Sequence, residues 1–133
     1  MKFDGEYLYE KRNGFGTEYY YTGEIKYRGE YTNGSIWNGK GYDKNGYEEF
    51  EIKDGKGYVK EYNEDDELIF EGEYSKGKRN GFGTEYYYKH KIKFEGEYFD
   101  GIKNGKGKEY YKDGNLKFKG EYLEGKKIKE AKY

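Results

Sequence analysis

The sequence predicts an all-β fold: an elongated, twisted antiparallel β-meander, a solenoid-like single-layer sheet of about five 24-residue hairpin repeats. Three observations carry that expectation. Gly-Glu-Tyr occurs five times, beginning at Gly5, Gly29, Gly72, Gly96 and Gly120, each with an aromatic residue two positions earlier. Those aromatics, together with Phe50 (which has lost its Gly-Glu-Tyr), are spaced 24, 23, 20, 24 and 24 residues apart. Within the copies, residues alternate with a period of two, the pattern of a strand with one buried and one wet face. No stretch shows a helical period.

Each unit reads as two strands. In Ile92-Lys93-Phe94-Glu95-Gly96-Glu97-Tyr98, apolar or small residues take the even positions and charges the odd ones. Leu68–Tyr74 and Leu116–Tyr122 follow the same rule. The second strand is Gly-x-Gly-x-Glu-Tyr-Tyr, as in Gly105–Tyr111, with Gly105, Gly107, Glu109 and Tyr111 in phase. Asp113-Gly114-Asn115 and Asn104-Gly105 are the expected turns, because both dipeptides tolerate positive φ. A glycine in phase with Phe and Tyr leaves a gap that a neighbouring ring can cover. The rings of the first strands bury too little surface to order the whole chain. The second-strand tyrosines must therefore be partly buried, and the sheet must curl, dimerise or receive a partner.

The expected domain is a single array over 1–133, with units at about 3–26, 27–49, 50–69, 70–93 and 94–117 and a partial C-terminal cap at 118–133. The unit at 50–69 is irregular: its first loop is shortened, and its second loop is lengthened around Glu64-Asp65-Asp66-Glu67. Trp37, the only tryptophan, precedes this break in what reads as a loop. Such a break either bends the array or marks a specialised site, and the bend is the plainer reading.

Composition removes several functions. Leu, Ile, Val and Phe together number 20 of 133 residues, too few for an ordinary aliphatic core, while aromatics reach 22%. Cysteine is absent, which excludes disulfides, thiolate metal sites and thiol nucleophiles. The only histidine, His90, lies between two lysines at an expected hairpin tip. No apolar run reaches membrane-spanning length and no signal peptide is visible, so a cytoplasmic location is expected. With 26 basic and 27 acidic residues, wholesale binding to nucleic acid or anionic lipid is not expected.

Candidate chemistry yields to plainer readings. Gly14-x-Gly16 and its copies lack the third glycine and the helix of a phosphate-binding loop. Glu64–Glu67 lacks the ligand spacing of a calcium loop and reads as a solvated tip. Glu6, Glu30, Glu73, Glu97 and Glu121 recur on the charged face, where cross-strand lysines such as Lys93 and Lys117 would pair with them. No catalytic residue, cofactor site or metal site is expected.

At Tyr/Phe-x-Gly-Glu-Tyr followed by Asn-Gly-x-Gly, at a period near 24, the chain resembles the MORN (membrane occupation and recognition nexus) repeat family. The resemblance runs from Phe3 to about Tyr122, and the Glu-Tyr-Tyr-x-x-Gly-x-Leu/Ile-Lys-Phe rhythm is similar to the bacterial-type, YwqK-like variant. Tyr stands after Gly-Glu where the common pattern has Trp. The resemblance implies a twisted single-layer sheet acting as an adaptor, scaffold or dimerisation module. The expected function is thus a non-enzymatic binding module, meeting another protein or a second copy through an under-covered aromatic face. Tyr7, Tyr31, Trp37, Tyr74, Tyr98 and Tyr122 are the candidate contacts. The alternatives are binding of glycan, lipid headgroup or single-stranded nucleic acid on the Tyr row, or action as an antitoxin or inhibitor of a partner protein.

Overall fold

A computed structural model describes residues 2–130. Their alternating pattern resolves into β1 (Lys2–Leu8), β2 (Lys11–Tyr19), β3 (Ile25–Thr32), β4 (Ser35–Tyr42), β5 (Glu48–Lys53) and β6 (Lys56–Tyr62). The second half adds β7 (Leu68–Ser75), β8 (Lys78–Tyr86), β9 (Ile92–Phe99), β10 (Ile102–Tyr110), β11 (Leu116–Leu123) and β12 (Lys126–Glu130). All twelve form one sheet in sequence order, every neighbouring pair antiparallel where the register is defined, so the meander predicted by the periodicity is the observed fold. The described residues contain no helix, and hence none long and apolar enough to cross a membrane.

The turns alternate between two edges of the sheet. At one edge lie two-residue turns such as Asp100-Gly101, where φ of 51° and 90° places both residues in the left-handed region that a tight hairpin requires. At the other edge lie longer turns. Asp113-Gly114-Asn115 is one, as expected, closed by the Asn115 N–H donating to Asp113 Oδ1 at 2.9 Å. Asn104-Gly105, expected as a turn, lies inside β10 instead. There the pairing with β9 skips between Lys103 and Gly107, and Gly105 takes φ 105° in a bulge. The same dipeptide serves a turn or a bulge, since both need positive φ.

Every second residue of a strand faces one side, which we call the inner face, and the rings gather there. Gly72, Gly83, Gly96, Gly107 and Gly120 pair in an unbroken row across β7 to β11. Phe94 lies over this row at Gly107, where an added Cβ would come within 2.6 Å of the ring. Buried Phe70, Phe94, Tyr98 and Tyr122 form one core cluster. A second gathers Tyr27, Tyr31, Ile52 and Val59.

The irregular third unit is a bend. β5 and β6 pair in register only at Ile52–Gly57 and Lys53–Lys56. The sheet curls there until the turn after β2 meets the turn after β6. The Tyr20 and Tyr62 rings approach to 5.7 Å, Lys26 Nζ donates to Tyr62 O at 3.1 Å, and the Tyr21 N–H donates to Asp66 Oδ2 at 3.2 Å. Val59 pairs with Gly72 where the regular units place a glycine, filling the tightened interior. Trp37, expected in a loop, sits inside β4 at a bulge, and its carbonyl accepts the Gly55 N–H of the shortened hairpin at 2.9 Å.

Candidate functional site

The inner face is a ladder of rings at right angles. Phe94 meets Tyr98 of its own strand at 5.6 Å and Tyr122 of the next unit at 5.3 Å, both edge to face. Phe70 with Tyr98, and Phe3 with Tyr31, repeat that contact at 5.5 Å and 5.4 Å. This geometry sets the positive ring edge against the negative ring face.

Each ladder tyrosine donates its hydroxyl to a glutamate thirteen residues earlier: Tyr31 to Glu18, Tyr74 to Glu61, Tyr98 to Glu85 and Tyr122 to Glu109, all at 2.6–2.7 Å. A cation then lies over four of the inner phenylalanines, Phe3, Phe70, Phe94 and Phe118. Arg79 Cζ is 4.0 Å from the Phe70 centroid, and Lys103 Nζ is 4.1 Å from that of Phe94. Arg12 covers Phe3 at 3.9 Å. The same cations bridge the carboxylates: Arg79 reaches Glu61 at 3.0 Å and Glu85 at 3.3 Å, and Lys127 reaches Glu109 at 3.1 Å. In the second unit Ile36 holds the cation's register, opposite Tyr31, and packs against the cluster of Tyr27, Tyr31, Ile52 and Val59.

This roof was legible only in part. An Arg or Lys nine residues after Phe3, Phe70, Phe94 and Phe118, at 12, 79, 103 and 127, was the available signal. The face that composition leaves short of cover is thus covered by the chain's own charged side chains, with Phe70 and Phe94 at 0% exposure. Of the six candidate contacts, Tyr31, Tyr98 and Tyr122 are buried in the ladder, Tyr74 and Trp37 are half-buried, and Tyr7 is exposed on β1.

The Gly-Glu-Tyr glutamates behave differently from the expected ladder with lysines. Glu73 Oε2 accepts the Phe82 N–H at 2.8 Å, and Glu97 Oε2 accepts the Lys106 N–H at 3.1 Å. These are backbone donors next to the bulges, which the register shift leaves for a side chain to satisfy. Lys93 and Lys117 instead lie over the Tyr87 and Tyr111 rings, each at 5.7 Å. The acidic tip also departs from a fully solvated one. Glu64 and Asp65 are exposed, but Asp66 is buried, and its Oδ1 has no hydrogen-bond partner. Among the described residues no His, Asp and Glu group is arranged to hold a metal ion.

The environment of the tyrosines makes a pH prediction. Burial, reinforced by the accepting carboxylates, raises the Tyr31, Tyr74, Tyr98 and Tyr122 hydroxyls well above their ordinary 10.0. Tyr110 on the other face is pushed up to about 12 by burial and Glu95. A hydroxyl with a higher pKa folded than unfolded contributes stability below the unfolded value and loses it as pH rises toward the folded one. The chain is therefore expected to destabilise progressively above pH 10, with the ladder tyrosines ionising only as the sheet opens. Tyrosinate absorbance followed with circular dichroism checks this. A full absorbance change before any loss of strand signal contradicts it.

A family model described as the MORN repeat matches residues 3–25, 70–91 and 94–116, together about half of the chain. The chain belongs to the MORN-repeat family. Among curated proteins none matches it. The three matched MORN segments begin at Phe3, Phe70 and Phe94, three of the four phenylalanines that carry a cation overhead. The unmatched stretch between the first and second contains the bend.

The outer face is where rings reach solvent. Phe15, Tyr58 and Phe82 are each more than half exposed. They pair with Glu30, Glu73 and Glu97, the central residues of Gly-Glu-Tyr on the neighbouring strands. Beside Phe82 an open groove of about 880 Å³ crosses Gly96, Gly107 and Gly120, walled by Lys106, Lys119 and Glu121.

Proposed function

We propose that this MORN-repeat meander is a non-enzymatic protein-binding or scaffold module, and that its partner docks on the outer face across Tyr58, Phe82 and the neighbouring groove. The carrying observation is the division of the rings: the inner set is sealed by cations, while Phe15, Tyr58 and Phe82 are held in water on a rigid sheet. Large rings fixed in solvent beside charged rims are the usual anchors of protein interfaces. Tyr7, exposed on the edge strand β1, offers a second contact where a partner strand can add to the sheet.

The Glu-Tyr-Tyr-x-x-Gly-x-Leu/Ile-Lys-Phe rhythm supports placing the chain with the bacterial-type, YwqK-like variant, for which an antitoxin role toward a neighbouring gene product is the specific form of the proposal. The sheet's glutamates hold tyrosine hydroxyls and backbone amides, a structural use that supports a binding role. The test is crosslinked affinity capture from the native host with wild type and a Tyr58→Ser/Phe82→Ser variant. Capture of a protein by wild type, lost in the variant at unchanged strand content, is the expected result. Equal capture by both removes the outer face from the proposal.

A further inference from the structure

The near-zero net charge conceals a division along the chain. Residues 1–75 carry 10 basic and 18 acidic side chains, whereas residues 76–133 carry 16 basic and 9 acidic. The meander lays this division out across the sheet, so one end is acidic and the other basic. The contrast is steepest at the edge with the longer turns. The turn between β6 and β7 presents Glu64 and Asp65 to solvent, and the next turn along that edge, between β8 and β9, presents Lys89, His90 and Lys91. With β7 and β8 between them, the two tips stand roughly 10 Å apart at ordinary strand spacing.

We propose that this edge is a two-fold interface between two copies of the chain, with the acidic tip of each seated against the basic tip of the other. The axis falls between β7 and β8. An isologous contact requires a surface complementary to itself, and two oppositely charged patches equidistant from an axis satisfy that requirement. The proposal rests on reading the chain as a binding module and names a second copy as its partner at this edge. Tyr88 and Tyr111, both about half exposed on the basic side of the same edge, supply apolar contact area beside the charges.

Neither tip needs its charges to fold. Asn63 Oδ1 accepts the Asp65 and Glu67 N–H groups at 2.9 and 3.0 Å, so the acidic turn is held by asparagine and not by Glu64 or Asp65. At the basic tip, Lys89 has φ 58°, a conformation that Glu10 and Glu124 also adopt in this chain, so glutamate is accommodated there. Each exposed ion pair contributes little by itself and is screened within about 8 Å at physiological salt, so the dimer is expected to be weak and salt-sensitive.

The test uses the purified full chain and two charge reversals, Glu64→Lys/Asp65→Lys and Lys89→Glu/Lys91→Glu, each checked for strand content. Sedimentation velocity at low ionic strength is expected to show a dimer for wild type, dissociating as salt is raised. Each reversed chain alone is expected to associate at least about tenfold more weakly, because like charges then face each other. An equimolar mixture of the two is expected to recover the dimer, since every acidic tip again finds a basic one. A wild type that is monomeric at low salt overturns the proposal, as do reversed chains that dimerise like wild type or a mixture that stays monomeric. Any of these results leaves the outer-face capture experiment, which concerns another protein, unaffected.

Discussion

Replacing Gly96 by alanine is expected to destabilise the chain by about 3 kcal/mol, at the upper end of overpacking costs. The cause is steric and local. A Cβ at this position would lie 2.5 Å from the Lys106 carbonyl oxygen, 2.6 Å from Gly107 Cα and 2.9 Å from Phe94 Cζ. Two of these neighbours are backbone of the paired strand β10, which cannot retreat without breaking the ladder bonds to β9. The third is a fully buried ring already held by Tyr98 and Tyr122. Gly114→Ala is the control. Its Cβ meets nothing within 4 Å, and its φ of 92° leaves only the backbone cost of about 1 kcal/mol. Denaturant midpoints of the two variants, compared at equal slope, separate the causes. Equal losses contradict the reading of Gly96 as a seat for the neighbouring strand and ring.

Gly96 also shows why so much of this fold was legible in advance. Its phase with Phe94 and Tyr98 is written in the period-two pattern, and the recurrence of that pattern fixes which strand comes next. The roof over the rings was harder to see. Lys103 and Glu109 belong to a strand whose partner in space is set by pairing, and a charged residue on a strand reads by default as facing water. They face the rings because Tyr98 and Tyr122 offer hydroxyls to carboxylates that in turn hold the cations. Burial alone would raise the Glu109 carboxyl, but the hydrogen bonds from Tyr122 and Lys127 outweigh it and leave it below its usual value. The burial of Asp66, expected in a solvated tip, was illegible for a different reason. Its contact with Tyr21 spans 45 residues and exists only because the shortened third unit bends the sheet. The charge division is hidden in the net charge, because the two halves have opposite sign and nearly cancel.

Truncating Phe94 to alanine is expected to cost about 4 kcal/mol, the range measured for fully buried phenylalanines. In a single-layer sheet that figure is surprising, since one face of every strand has no second layer to bury it. It follows here from the ladder. Phe94 is 0% exposed because Gly96 and Gly107 lie beneath it, Tyr98 and Tyr122 flank it, and Lys103 closes it from above. Removing the ring leaves both tyrosine edges and the lysine stem facing a cavity between two units. In a repeat array, where each unit leans only on its neighbours, that loss falls on the β8–β10 junction. Phe82→Ala, twelve residues earlier on the outer face, is expected to change stability by no more than about 0.5 kcal/mol. It is 55% exposed, and its backbone N–H keeps its bond to Glu73 whatever the side chain. The pair therefore measures the two faces against each other in one sheet. A large loss at Phe94 with none at Phe82 places the folding energy on the inner face and leaves the outer rings free for a partner. A comparable loss at both positions contradicts that separation.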